Sequence, residues 1–192
     1  MKKLICCIVM AFLCSCAGFR EGKVSSINTF PQPDKKPSLN ISLDFVVNMN
    51  GNTITNQATE NNIKAKVIER FKASGLFSNV TLDSSGQEYS LNIKYEDRGD
   101  MNVFLSVLTG ATLYIFPSYS KDTNIITAQL VNNKNKHKTE IVLNDSMTMW
   151  QQILLLPLTP FKHPLAEAVS MQNDLIDNLA LQTYENIKNN TN

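Results

Sequence analysis

Apolar and polar residues alternate along two stretches of the chain, and this pattern predicts the central strands of a β-sheet. Apolar side chains occupy every second position over residues 41–49 and again over residues 89–95. Such alternation is typical of strands that bury one face. A second pair of strands is predicted at residues 123–131 and 138–145, joined by a polar hairpin tip at residues 132–136.

Two main helices are predicted from apolar residues at helical spacing. Asn56 is suited to cap the first helix and Gly75 lies just past its end, before a short strand at residues 80–82. Pro164 is placed to open the second helix. Its apolar stripe comprises Leu165, Val169, Ile176, Leu179, Thr183 and Ile187. The predicted fold class is α+β, a mostly antiparallel sheet of about five strands with two main helices and two additional apolar segments.

Two long stretches carry no charged residue: the first apolar segment, residues 103–116, and the second apolar segment, residues 147–161. Since the strands around the hairpin tip are predicted to run antiparallel, both segments are expected at the opposite end of the sheet. We call this end the apolar pole. A helix over the 14 residues of the first segment reaches only about 21 Å, which is too short to cross a bilayer.

Four roles remain open for the apolar pole. Apolar runs of this length are most often buried core. A face for a partner or a second copy, a membrane-docking surface and a pocket for an apolar ligand fit the same pattern. The residues expected to make such a contact are Val103, Phe104, Leu105, Leu108, Leu113, Phe116, Trp150, Leu154, Leu155, Leu156 and Phe161.

Composition excludes several classes of protein. The chain has 18 basic and 17 acidic residues and a net charge of +1, which does not fit a strongly basic nucleic-acid-binding protein. All four cysteines lie within the first 16 residues. A disulfide scaffold and a cysteine-ligated zinc site are therefore excluded for the rest of the chain.

Residues suited to catalysis are few. His137 and His163 are the two histidines, and both are expected to be solvent-exposed polar residues. Arg98 is surrounded in the sequence by Glu96, Asp97 and Asp100. This acidic cluster fits a cation site, but a solvated turn is the better supported interpretation. The sequence holds no common nucleophile, zinc or nucleotide-binding motif. We therefore expect no catalytic residue, metal or cofactor and no enzymatic activity, although a hydrolase that uses an unmarked carboxylate pair stays open.

The amino terminus has the parts of a secretory signal, with basic Lys2 and Lys3 before an apolar run at residues 4–13. Leu13-Cys14-Ser15-Cys16 resembles the lipobox of bacterial lipoproteins. In that family the signal peptide is cut before the last cysteine, whose thiol then carries diacylglycerol and whose new amine is acylated. The resemblance implies this lipidation at Cys16. Several acyl chains anchor a protein stably, whereas one chain binds a membrane only marginally.

The resemblance also implies domain boundaries and a location. Residues 1–15 would be a lipoprotein signal peptide, residues 16–39 a lipidated cysteine with a flexible tether, and residues 40–192 a single periplasmic α+β domain. Removing residues 1–15 takes away two lysines and no acidic residue, so the net charge would change from +1 to −1. The residue that follows the cysteine is Ala17 and not an aspartate. By analogy with enteric bacteria, this indicates the outer membrane.

Two shorter resemblances also point to the cell envelope. The turn Ser74-Gly75-Leu76-Phe77-Ser78-Asn79-Val80 is similar to a helix–strand module of the curli-secretion lipoprotein, of lipoprotein activators of peptidoglycan synthases and of the amino-terminal domain of the Tol-system propeller protein. Leu113-Tyr114-Ile115-Phe116-Pro117 and residues 154–161 resemble a group of uncharacterised proteobacterial lipoproteins, which implies no activity.

These observations predict a membrane-anchored envelope lipoprotein that serves as a non-enzymatic scaffold or accessory subunit. Its apolar pole would bind a protein partner or join copies of the chain. The expected partners are the lipid bilayer, through acylated Cys16, and an envelope protein or a second copy, with no nucleic acid. The alternative function is a carrier of lipid or another apolar ligand in the periplasm.

Overall fold

A seven-stranded mixed β-sheet is the framework of the protein. The computed structural model describes residues 16–190, so the predicted signal peptide lies outside the described residues. In chain order the elements are β1 (Cys16–Arg20), β2 (Ser38–Met49), β3 (Asn52–Ile54), α1 (Gln57–Ala73), β4 (Asn79–Leu82), β5 (Tyr89–Met101), α2 (Val103–Ala111), β6 (Ser118–Asn132), β7 (Lys138–Gln151), one 3-10 turn (Ile153–Leu155) and α3 (Pro164–Asn189).

The sheet has the strand order β1-β7-β6-β5-β2-β3, and β4 pairs with β2 beside β3. β2 runs parallel to both β4 and β5, whereas the other neighbouring strands are antiparallel. The parallel pairs arise because α1 carries the chain back to the starting end of β2, as parallel neighbours require a crossover. The predicted α+β class and the mostly antiparallel sheet are confirmed. The described residues form seven strands and three helices rather than about five strands and two main helices.

Helices α1 and α3 pack against each other and against one face of the sheet, where they bury a core of leucine, isoleucine and phenylalanine side chains. The predicted cap of α1 is present, since Oδ1 of Asn56 accepts hydrogen bonds from the backbone amides of Ala58 and Thr59 at 3.0 and 3.2 Å. Arg70 of α1 binds both carboxylate oxygens of buried Asp177 on α3. This ion pair joins the two helices.

Three strands extend further toward the apolar pole than the alternation predicts. β5 continues to Met101, β6 begins at Ser118 and β7 continues to Gln151. The extensions of β5 and β6 are rich in polar residues, so they lack the apolar period that marks the rest of each strand. The second apolar segment is therefore strand to Gln151 and forms only one helical turn beyond it.

The cluster around Arg98 lies within β5 rather than in a turn, which corrects the favoured prediction. Successive residues of a strand point to opposite faces. Arg98 pairs with Glu96 at 2.8 Å on the exposed side of the sheet. Asp97 points to the opposite face, where it meets Asp122 of β6. The acidic residues therefore do not converge on one point.

The segment predicted as a flexible tether is held against the domain, which differs from the prediction. Residues 16–20 form β1 and pair with β7 at the edge of the sheet. Arg20 explains the attachment: its Nε donates to Oδ2 of Asp145 at 2.6 Å and its guanidinium also binds Asp174 of α3. A third bond runs from Arg20 to the carbonyl of Val24 at 2.8 Å.

The chain between β1 and β2 lies along α3. Val24 is buried in the hydrophobic core. The hydroxyl of Ser26 donates to Asp174 at 2.9 Å, and the side-chain amide of Asn178 donates to the carbonyl of Ser25 at 2.7 Å. Asp174 and Asn178 belong to α3, which lies far along the sequence. The proline and glycine content of residues 16–39 alone therefore could not indicate the attachment.

Candidate functional site

Both apolar segments lie at one end of the sheet, as the predicted topology requires. β5 leads into α2, and β7 leads into the 3-10 turn. The backbone amide of Ile153 donates to the carbonyl of Tyr114 at 2.9 Å, which joins the two segments directly. The hairpin tip between β6 and β7 lies at the other end.

The apolar pole is exposed rather than buried. The side chains of Phe104, Leu154 and Phe161 are 74%, 75% and 81% exposed. Among the residues predicted for contact, those exposed are Val103, Phe104, Leu113, Phe116, Trp150, Leu154 and Phe161, and those half-buried are Leu105, Leu108, Leu155 and Leu156. Exposed apolar groups of this extent mark contact surfaces in folded proteins. Buried core, the commonest role for such runs, therefore does not describe the pole as a whole.

Five further apolar residues near the pole are exposed and were not among the predicted contacts: Val107, Ile115, Leu158, Leu165 and Val169. Leu165 and Val169 belong to the apolar stripe predicted for α3. The rest of that stripe, from Ile176 onward, is buried. The first turns of α3 therefore extend the exposed apolar surface. The spacing of four residues between Leu165 and Val169 indicated an apolar helix face, but periodicity alone does not show whether that face is buried or exposed.

Trp150 and Tyr119 form an aromatic pair beside the pole. They are directly opposed on β7 and β6, and their ring centroids are 5.3 Å apart. Both rings are partly exposed. Amphipathic rings are favoured at the boundary between lipid and water. Trp150 is the one tryptophan of the chain, so its fluorescence reports on this location alone.

Cys16 lies at the same end of the molecule. It is half-buried in β1, opposite Gln151 of β7. The next inward-facing residue, Gly18, donates its backbone amide to the carbonyl of Lys162 at 2.8 Å. β1 is thus fixed between β7 and the chain that enters α3, and Cys16 belongs to the apolar pole. The composition of residues 16–39 gave no signal of this strand.

A groove of about 670 Å³ lies beside Cys16, between the sheet and the start of α3. This volume is within the range of about 300–1,000 Å³ of small-molecule sites. Its apolar lining comes mainly from four methionines, together with Leu165 and Ala168 of α3. The methionines are Met49, Met101, Met147 and Met149.

A carboxyl pair lies in the inner wall of the groove, where Asp122 of β6 shares a hydrogen bond with Asp97 of β5. Burial, together with this hydrogen bond and the charge of Asp97, raises the pKa of Asp122 well above its usual range. The side-chain amide of Asn124 donates to Asp122 at 3.2 Å, and the hydroxyl of Tyr95 donates to Oδ1 of Asn124 at 2.6 Å. Burial raises the pKa of Tyr95, so its hydroxyl stays a donor.

The two histidines are far apart. His137 follows the hairpin tip, and His163 precedes α3 and lines the groove. Within residues 16–190 no three His, Cys, Asp or Glu side chains are grouped so that they could hold a metal ion. None of the helices in this part of the chain combines the length and apolar character that crossing a membrane requires.

Comparison with known proteins found weak structural similarity. No protein family model and no curated protein matches the chain. A minor lipoprotein from Acinetobacter baumannii is similar in structure, with 17% identity over 84% of this chain and 96% of that chain and a TM-score of 0.39. The PelC dodecamer from Paraburkholderia phytofirmans has 8% identity over 88% of this chain and 96% of its own, with a TM-score of 0.34. These values assign no function to this chain.

Proposed function

We propose that the protein is a bacterial envelope lipoprotein, anchored by lipid on Cys16, that works as a non-enzymatic scaffold or accessory subunit. The domain would lie in the periplasm, and the residue after the cysteine favours the outer membrane. One observation carries the proposal: Cys16 is built into β1 at the same end of the sheet as the exposed apolar side chains.

The position of Cys16 determines what the apolar pole meets. A lipid-modified residue lies at the membrane surface, and Cys16 is joined to the sheet without any intervening tether. With lipid on Cys16, the surface around it would face the bilayer. Phe104, Leu154 and Phe161 are the most exposed apolar side chains there, and burial of apolar area in the interface adds to the binding supplied by acyl chains. The pole would contact lipid directly, and any partner bound there would itself be at the membrane.

Fluorescence of Trp150 tests this arrangement. The full lipoprotein is reconstituted into phosphatidylglycerol–phosphatidylcholine vesicles that contain brominated acyl chains, which quench tryptophan at the interface. We expect strong quenching in the wild type. We expect at least a twofold loss of quenching in Phe104→Asp/Phe161→Asp, although its Cys16 still carries lipid.

Val142→Asp is the matched control, because Val142 is an exposed apolar residue of β7 away from both apolar segments. Its quenching should equal that of the wild type. Equal quenching in all three proteins would reject contact between the pole and the bilayer. Intact mass of each protein reports separately on lipidation, and an unmodified Cys16 would reject the lipoprotein proposal itself.

The groove beside Cys16 favours a second candidate function, a carrier of lipid or another apolar ligand. Its volume and methionine-rich lining suit an unbranched apolar molecule, because methionine side chains adapt to irregular shapes. Native mass spectrometry of the protein extracted in a mild detergent separates the candidates. A bound phospholipid at one copy per chain supports the carrier, and a defined oligomer without lipid supports a self-assembling scaffold.

A further inference from the structure

The groove beside Cys16 has a floor of small residues and walls of flexible ones. Gly99 and Ser120 lie on neighbouring strands β5 and β6, on the face that α3 covers. A Cβ atom on Gly99 would come within 2.4 Å of the sulfur of Met49, so the methionine side chain occupies the space that the glycine leaves. The opposite side is formed by Thr159, His163 and the start of α3.

Cys16 lies at one end of this groove and Met49 at the other. Between them the groove crosses the strands in the order β1, β7, β6, β5 and β2. Neighbouring strands are about 4.8 Å apart, so the groove is about 19 Å long. One leaflet of a bilayer, half of a hydrocarbon core of about 30 Å, is about 15 Å deep. The groove is therefore long enough to hold a single acyl chain.

The lining suits such a chain. Met101 and Met149 lie between the two ends, and unbranched thioether side chains pack readily against an unbranched chain. The polar part of the lining comprises the carboxyl pair of Asp97 and Asp122 together with Asp100, Ser120, Lys121, Thr159 and His163. The two carboxyl groups of the pair are hydrogen-bonded to each other, and Asn124 satisfies one more oxygen. A proton shared within the pair reduces the charge that an apolar occupant would meet.

We propose that this groove holds one acyl chain carried by Cys16 itself, while the remaining chains of the same lipid enter the bilayer. The inference rests on the proposed lipidation of Cys16. The occupant follows from connectivity, because the residue that would bear the lipid is itself part of the lining. An empty groove would leave Met49, Met101 and Met149 in contact with water, and the chain removes that exposed apolar surface.

Photocrosslinking of the full lipoprotein tests the inference. Cells that express the protein are grown with a palmitic acid analogue that bears a terminal diazirine, and the purified protein in nanodiscs is irradiated and digested. We expect intramolecular crosslinks from the lipid on Cys16 to Met49 or Met101, assigned to the individual residue by fragmentation of the crosslinked peptides. Crosslinks confined to phospholipid and to residues of the apolar pole such as Phe104 would overturn the proposal.

Ser120→Phe fills the floor of the groove and should reduce the intramolecular crosslinks at least fivefold. Val142→Phe, on the neighbouring strand but away from the groove, should leave them within twofold of the wild type. Should Ser120→Phe fail to fold, Met149→Gln keeps the length of the side chain, makes the wall polar and should also reduce the crosslinks. Unchanged crosslinks in a folded groove variant would overturn the proposal.

Two controls separate this inference from the proposed function. Intact mass before irradiation shows whether Cys16 is acylated, and an unmodified Cys16 would remove the proposed anchor as well as its chain. In Cys16→Ser, analogue-labelled phospholipid is the remaining source of crosslinks. Crosslinks at Met49 and Met101 in this variant would show that the groove takes a free lipid, which would overturn attachment to Cys16 and support the carrier function.

Discussion

Arg20 is the side chain that attaches the amino-terminal segment to the domain. It lies between Asp145, which is fully buried, and Asp174 of α3, and it binds both. Removing one partner of a buried ion pair leaves an uncompensated charge away from water, which is strongly destabilising. The importance of Arg20 therefore comes less from the attraction itself than from the two carboxylates that would be left without it.

Arg20→Ala should lower the free energy of unfolding by about 3–5 kcal/mol, measured by denaturant titration of the protein in detergent. Arg98→Ala is the matched control, because Arg98 pairs with Glu96 on the exposed side of the sheet and exposed ion pairs contribute little to stability. Equal losses in the two variants would contradict the role assigned to Arg20.

Asp122 gives the stability of the protein a dependence on pH. Its pKa is raised in the folded state, mainly by burial and also by Asp97. The folded protein therefore holds this proton more tightly than the unfolded chain does. The stabilising contribution is complete below the unfolded pKa of about 4 and is lost as the pH rises through the folded pKa.

Asp122→Asn should reduce the fall in the free energy of unfolding between pH 5 and pH 8 by on the order of 1 kcal/mol. The amide can still accept from Asn124 and donate to Asp97, so the network is kept. Denaturant titrations at both pH values measure the effect. Asp34→Asn, at an exposed position, should leave the fall unchanged, and the same fall in wild type and Asp122→Asn would refute the assignment.

Some of these residues carried a signal in the sequence and others did not. Asp97 and Asp145 continue the inward-facing positions of β5 and β7, where Tyr95 and Leu143 are buried. A charged residue at an inward position predicts a partner. The identity of the partner was not predictable, because Arg20 and Asp145 are 125 positions apart in the chain.

At the scale of elements, β1 depends on a close approach to the start of α3. A Cβ atom on Gly18 would lie 3.0 Å from the Cα of Pro164 and 3.1 Å from the sulfur of Met147. The methionine can move aside, but the backbone at the start of α3 cannot do so without shifting the helix. Gly18 therefore favours this close packing, and a larger residue would require its neighbours to shift by a few tenths of an ångström.

Gly18→Ala should lower the free energy of unfolding by about 1–3 kcal/mol, as expected for overpacking. Gly110→Ala is the control, because Gly110 is in α2 and has open space around its Cα. It should raise stability by about 0.5–1 kcal/mol through the better helix propensity of alanine. Hydrogen exchange of the β1 amides should increase in Gly18→Ala alone, and unchanged exchange would show that the contact does not hold β1.

The predictability of each element follows from how local its signal is. α1 and α3 were predicted because a cap, a proline and the helical period lie within each helix. β1 was missed because it has five residues, CAGFR, with no alternation, and it is held by pairing with β7. The parallel pairing of β2 with β5 likewise depends on contacts across the sheet. The exposure of the pole could not be predicted, because an apolar run has the same sequence pattern in a buried core as on an exposed surface.

For the whole molecule, the apolar pole and the hairpin tip are at opposite ends of the same long strands. β6 has 15 residues, and a strand rises about 3.3 Å per residue, so the two ends are about 45 Å apart. A domain that contacts the bilayer through its pole would hold the tip, with Lys134 and Lys136, at this height above the lipid.

Resonance energy transfer measures that height. In the proposed lipoprotein Cys16 would be blocked by its lipid, and the other cysteines lie in the predicted signal peptide, so Lys134→Cys would introduce a single reactive thiol. A dye there should transfer little energy to acceptors in the membrane, as expected for about 45 Å. A dye on Ile115→Cys, at the exposed pole, should transfer strongly. Comparable transfer from both sites would show that the domain does not stand on its pole.

The pairing of β1 with β7 also determines an order of events during biogenesis. Cys16 lies opposite Gln151, so the edge of the sheet that receives it does not exist until most of the chain is present. Pairing between such distant segments is slow to form, because a long loop must close first. In the proposed lipoprotein, Cys16 would therefore stay accessible to processing enzymes while the rest of the sheet folds. Closure of β1 would then be the last step, taken after the lipid is in place.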